Sequence, residues 1–117
     1  VVDCIDTISA KINIIKNCAQ QNIRVISSMG TGNKMHPELL KVDKIKNTTY
    51  CPLAKVMRRE LHKLGLDNTL VVYSCENSPK IVVDSEKGRH APSSMIFVPA
   101  TAGLLLGNKV VLDIIND

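Results

Sequence analysis

Residues 1–18, VVDCIDTISAKINIIKNC, decide how the chain is read. Val1, Val2, Cys4 and Ile5 form a short, nearly continuous apolar run, the pattern of a strand buried on both faces of a parallel sheet. Behind it Ile8, Ile12, Ile15 and Ala19 recur at helical spacing, and Asp6 or Thr7 stands where an N-cap belongs. The next β-branched run, IRVISSMG at residues 23–30, completes a βαβ unit, and the crossover rule makes its strand parallel to the first. A strand buried on both faces needs upstream neighbours that this sequence does not contain, so the chain is expected to be a fragment or a processed product.

Working outward, residues 29–47 lose their periodicity and read as a long functional loop with one short strand at residues 40–45. TTYCPLAKVMRRELHKLGL, residues 48–66, predicts a helix with Pro52 in its first turn and Gly65 at its stop. Leu53, Val56, Met57, Leu61 and Leu64 form its apolar stripe, and Lys55, Arg58, Arg59, His62 and Lys63 a basic face. TLVVYS at residues 69–74 is the next strand, KIVVD at 80–84 is either a strand or a loop rung, and MIFVP at 95–99 reads as a further strand. Residues 100–117 close the chain as a helix apolar around most of its circumference, which demands burial on more than one side; a subunit interface would supply it.

At 117 residues and 44% hydrophobic content the chain is one domain or part of one. The apolar stretch at residues 93–107 is too short and broken for a spanning helix, so no membrane span is expected, and no targeting segment is visible. The net charge of +4 permits an acidic partner without requiring one. Cys4, Cys18, Cys51 and Cys75 include no close pair, which removes the usual structural zinc. Cys4 on a buried strand and Cys18 near an apolar helix face fit a reduced, cytoplasmic setting.

Asp6 stands at the carboxyl end of a parallel strand, where open α/β sheets place ligand groups, and a carboxylate there can hold a magnesium ion that bridges nucleotide phosphates. The plain alternative is that it caps the helix. Lys11, a turn further on, adds a charge near the same phosphates or is simply solvated. GTGNK at residues 30–34 meets neither the P-loop nor the dinucleotide pattern and reads as a tight turn feeding a substrate loop. Cys51, ahead of Pro52 at a helix N-terminus, is a candidate nucleophile, although a lone cysteine is more often structural. The basic helix face is a track for nucleic-acid phosphates or a solvated surface; with only Tyr50, Tyr73 and Phe97 as aromatics, base stacking is weakly supported. In GRHAP, Arg89 can clamp a carboxylate or phosphate and His90 can move a proton, or the pair is a chance feature of a surface loop.

Four segments, VVDCIDTISAK, VISSMGTGNKMHP, CPLAKVMRREL and GRHAPSSMIFVPATAGLLLG, together resemble the later half of the ThiF/MoeB/HesA adenylating family, related to ubiquitin-activating enzymes. The last three point to its tRNA threonylcarbamoyladenosine dehydratase branch. The resemblance implies an α/β fold, a Rossmann-like parallel-to-mixed sheet with flanking helices, with residues 1–117 forming the C-terminal part of an adenylating domain. It implies ATP and Mg2+ as cofactors, with Asp6 as the magnesium-associated aspartate and Lys11 near the nucleotide. Asp6, Arg89 and His90 are then the catalytic candidates. Gly30, Gly32, Asn33, Lys34 and Arg89 face the substrate, with Lys55, Arg58 and Arg59 along the tRNA. It further implies a cytoplasmic homodimer that adenylylates the threonine carboxylate of the modified nucleoside and closes it to a cyclic form with loss of AMP. No enzyme cysteine is needed, which lowers the standing of Cys51. The glycine-rich ATP-binding half typical of such enzymes is not in this sequence, so the chain alone is expected to be inactive. The alternatives are a sulfur-carrier-protein adenylyltransferase of the same family, with a sulfur-carrier or cysteine-desulfurase-system partner, and a noncatalytic dimerisation or scaffold half.

Overall fold

The computed structural model describes residues 1–77, 82–84, 90–92 and 94–117, with backbone alone for 82–84 and 90–92. Its elements are β1 (Val2–Asp3), α1 (Ile8–Gln20), β2 (Ile26–Ser28), β3 (Leu40–Lys44), α2 (Pro52–Lys63), β4 (Leu70–Ser74), β5 (Val82–Asp84), β6 (His90–Pro92) and α3 (Phe97–Ile115). Single 3-10 turns, Pro37–Leu39 and Ile45–Asn47, flank β3. The main sheet runs β1-β2-β4-β3, with β1, β2 and β4 parallel and β3 antiparallel to β4. KIVVD does contain a strand: β5 pairs antiparallel with β6, Val82 opposite Pro92, in a sheet of their own.

Strand alternation sorts the core into two layers. Val71 and Tyr73 of β4 pack with Ile15 of α1 and Met57 and Leu61 of α2 on one face. Val72 of β4, with Ile26 and Leu40, packs on the other face against Val98, Ala102 and Leu106 of α3. Side chains of period two on a sheet meet helices whose inward residues recur every three or four positions. In α2 those inward residues are Ala54, Met57 and Leu61, whereas Leu64, expected in the stripe, is exposed at the C-cap. The chain turns out of α2 through Gly65 at φ 70°, the left-handed conformation glycine tolerates best.

Four expectations are corrected. The first strand is not buried on both faces: β1 is a two-residue edge strand, Val1, Val2, Cys4 and Ile5 are exposed, and only Asp3 points into the protein. In α1 the inward stripe is Lys11, Ile15 and Cys18, with Ile8 and Ile12 half-buried and Ala19 exposed. MIFVP is not a strand. Met95 and Ile96 are exposed, and Phe97, Val98 and Pro99 open α3, where proline's missing N–H costs nothing because first-turn amides have no helical acceptor. Finally, α3 is one continuous 19-residue helix, long and apolar enough by length and composition to cross a membrane. Neither Pro99 nor Gly103 breaks it. It lies on the sheet through Val98, Ala102 and Leu106, a single stripe, while Leu104, Val111, Ile114 and Ile115 stay exposed.

Candidate functional site

The carboxyl ends of β1 and β2 open into a cleft of about 230 Å³. Asp6 enters it from the turn between β1 and α1, Gly30 and Thr31 from the end of β2, Leu53 from the first turn of α2, and Ala102 and Gly103 from α3. Ligand groups in open α/β sheets gather at such a crevice between adjoining strand ends. Asp6 is exposed, and the N-cap of α1 is Thr7 in extended conformation with no side-chain bond to the helix amides, so capping does not occupy the Asp6 carboxylate.

Beneath this cleft lies a polar group that sequence reasoning did not anticipate. Asp3 is opposite Ser27 in the β1–β2 register, and both point toward α1. Lys11 Nζ donates to Asp3 Oδ2 at 3.0 Å, to the Ser28 carbonyl at 2.6 Å and to Ser27 Oγ at 3.4 Å. Ser27 Oγ donates to Asp3 Oδ2 at 2.6 Å, and the Ile5 amide to Asp3 Oδ1 at 3.0 Å. Lys11 is therefore neither solvated nor open to a nucleotide: its side chain is 1% exposed and its ammonium is committed to three partners. Burial works against ionisation of Asp3, but the Ser27 hydroxyl, the Ile5 amide and the Lys11 ammonium outweigh it and hold the carboxyl below its ordinary value. The pair ties the turn carrying Asp6 to the end of β2 carrying Gly30. A polar residue at the inward position of a short strand was the available signal, because an aspartate there must be paired.

A second set of contacts fixes the loop after β2. A turn closes from the Lys34 amide to the Thr31 carbonyl at 3.4 Å, with Asn33 at φ 61°, as the tight-turn reading of GTGNK expected. Lys34 is not displayed to a substrate. It is 4% exposed, and its ammonium donates to the Glu76 carbonyl at 2.6 Å and the Tyr50 carbonyl at 2.9 Å. Glu76 Oε2 in turn accepts the Met35 amide at 2.8 Å. The Cys51 sulfur is buried, accepts the Ala54 amide at 3.4 Å as the N-cap of α2, and lies 3.7 Å from the Gly30 carbonyl. That arrangement gives the cysteine a capping role, and among the described residues no base contacts it.

The basic face of α2 divides. Arg58 turns inward, donating from Nη1 to the Thr48 carbonyl at 2.7 Å and to Thr48 Oγ1 at 2.8 Å, so it braces the loop before the helix. Lys55 is exposed, as is Arg59, which makes a 3.4 Å contact with Glu60. His62 faces Asp67 at 2.7 Å. Arg89 and the side chain of His90 lie outside the described residues. The structure thus brings together Asp6 and Gly30, sets Gly32 and Asn33 in the adjoining turn, and removes Lys11, Lys34 and Arg58 from the exposed site.

No family model matches the chain. It is 36% identical over its whole length to tRNA threonylcarbamoyladenosine dehydratase of Bacillus subtilis, covering 51% of that protein. It is 43% identical over 65% of its length to tRNA threonylcarbamoyladenosine dehydratase 2 of Saccharomyces cerevisiae, covering 17% of it. In fold it matches E. coli tRNA N6-threonylcarbamoyladenosine dehydratase, TcdA, in complex with AMP, with a TM-score of 0.81 and 22% identity over 99% of this chain and 48% of that one. The same protein in complex with ATP gives a TM-score of 0.70 and 20% identity, covering 100% of this chain and 49% of that one. The chain thus spans about half the length of its bacterial relatives. In sequence the chain is similar to the tRNA threonylcarbamoyladenosine dehydratases, and its fold matches about half of the E. coli enzyme.

Proposed function

We propose that this chain serves in an ATP-dependent dehydratase acting on threonylcarbamoyladenosine in tRNA, as the half that carries the magnesium-associated aspartate and the substrate-facing loops. The supporting observation is the likeness of the whole of this chain to 51% of the Bacillus subtilis enzyme, together with an exposed Asp6 at the strand-end cleft. Bound ATP would supply the adenylyl group, pyrophosphate leaving, that makes a carboxylate oxygen a good leaving group, so that the nucleoside's own nucleophile could close the ring with loss of AMP.

The residues present fit this chemistry. Among the described residues no three His, Cys, Asp or Glu side chains converge. Asp6 would therefore hold a magnesium ion as a single carboxylate beside phosphate oxygens and water, a coordination that ion accepts. The Asp3 bond to the Ile5 amide fixes the turn that carries Asp6, and Lys11 holds Ser28 at the facing strand end. Leu53, Ala102 and Leu106 give the cleft an apolar wall that limits water around the reacting carboxyl. On the same reading the protein works in the cytoplasm as a homodimer. The exposed Phe97, Leu104, Ile114 and Ile115 of α3 favour such a pairing.

The test is AMP release from ATP by the longest natural form of the protein, with and without threonylcarbamoyl-modified tRNA. Release that requires the modified tRNA, and that falls about 100-fold or more in Asp6→Asn with an unchanged urea midpoint, is expected. Release that requires a small carrier protein instead would transfer the assignment to the sulfur-carrier branch. Absence of turnover with every substrate would leave a scaffold role.

A further inference from the structure

Tyr50 combines two features that oppose each other. Its φ is 55°, a left-handed conformation that a bulky residue rarely adopts, and its side chain is 62% exposed, so no core packing compensates the strain. The strain is imposed from around it. Arg58 grips Thr48, Lys34 grips the Tyr50 carbonyl, and the Cys51 sulfur joins the first turn of α2 to Gly30. Three side chains thus hold residues 48–51 while the phenol ring is left at the surface.

The ring's surroundings define what it could take. Tyr73 is buried; Phe97 is exposed at the start of α3, which lines the Asp6 cleft through Pro99 and Ala102, and Tyr50 is exposed three residues ahead of Leu53, which lines the same cleft with Gly30. Exposed cations stand near Tyr50 in sequence: Lys46 ahead of it, and Lys55 and Arg59 behind it, four residues apart on one face of α2, Arg59 also contacting Glu60. An exposed aromatic on a segment carrying exposed cations has the composition of a single-strand nucleic-acid contact, in which bases stack and phosphates are tracked by charge. Unpaired loop bases, being splayed from a helix, are the part of an RNA that such a ring can reach.

We propose that Tyr50 is a stacking platform for an unpaired base of the RNA substrate, held in place by Lys34 and Arg58, with Lys55 and Arg59 contacting neighbouring phosphates. The inference rests on the RNA reading of the function and adds to it the residue that receives a base. It also reassigns Lys34 and Arg58 from substrate contacts to positioning residues.

The chain contains no tryptophan, so Tyr50→Trp installs a single reporter at the site. Tyr50→Gly removes the ring and at the same time relieves the positive φ, which separates loss of stacking from loss of structure. Binding of a fluorescent RNA stem-loop carrying threonylcarbamoyladenosine is measured by anisotropy at fixed salt, with thermal melts of each protein. The expected result is a 5- to 150-fold weaker affinity for Tyr50→Gly, which corresponds to the ~1–3 kcal/mol of one base–aromatic stack, with a melting temperature no lower than the parent's. Tyr50→Trp should bind within about threefold of the parent and lose emission on adding RNA. Parent-like affinity in Tyr50→Gly would overturn the stacking role alone. A parent chain that binds no stem-loop would overturn this role, while AMP release that requires modified tRNA decides the RNA reading independently.

Discussion

Lys11→Met tests the polar group beneath the cleft. Methionine keeps the length and much of the apolar stem of lysine but removes the ammonium, so Asp3 is left ionised, buried and short of its charged partner. Two further losses accompany it: the Ser28 carbonyl gives up a 2.6 Å donor, and the Ser27 hydroxyl becomes the sole side-chain donor to Asp3. Breaking a buried pair by deleting one member typically costs about 3–5 kcal/mol, against a total stability on the order of 5–15 kcal/mol for a domain. At roughly 4 °C per kcal/mol for this size, the melting temperature falls by about 12–20 °C. Urea unfolding followed by far-UV circular dichroism reads the change as a lower midpoint at constant slope. The pH dependence supplies a second readout. Because the Asp3 carboxyl is held below its ordinary value in the folded protein, its stabilisation is complete above the unfolded value of about 3.9 and is lost as pH falls toward the folded value. In Lys11→Met the uncompensated carboxylate is relieved by protonation, so the gap between the two proteins is widest near neutrality and narrows in acid. Adding Asp3→Asn to Lys11→Met, which keeps an acceptor for the Ile5 amide, should recover about half of the loss. A cost below about 1 kcal/mol for Lys11→Met at pH 7 would refute the reasoning, since that is the worth of a surface ion pair.

Lys34→Met should cost about 1–3 kcal/mol by leaving the Glu76 and Tyr50 carbonyls without their donor, and should raise amide exchange in residues 30–36 more than in β4. Cys51→Ala should cost about 1 kcal/mol through loss of the α2 cap, whereas Cys51→Ser, which keeps a capping acceptor, should stay within about 0.5 kcal/mol of the parent in the same urea assay. Gly65→Ala meets no atom within 4 Å, so its expected cost of about 1 kcal/mol arises from the φ of 70° alone; a neutral result would show that the turn relaxes.

The succession of elements follows from local signals wherever these agree. Pro52 and Gly65 bracket α2 at its two ends, IRVISSMG and TLVVYS supply β2 and β4, and the βαβ order makes β2 parallel to β1. Asp6 was legible because its place at a strand end follows from that order alone. The likeness to the tRNA threonylcarbamoyladenosine dehydratases was also carried by local motifs.

Where each side chain goes depends instead on how strands and helices meet. Lys11 and Asp3 belong to different elements, and nothing in helical spacing says that a lysine will turn inward; it does so because β1 places a buried carboxylate opposite it that no water can reach. The residues 95–99 have strand-like composition, yet Phe97 begins a helix, because Val98, Ala102 and Leu106 then form one stripe against the sheet and tertiary burial outweighs β propensity. Lys34 and Arg58 look like ligand cations in sequence. In the fold, loop carbonyls brought from residues 48–76 capture them, since a buried carbonyl needs a donor and a nearby cation is the strongest one available.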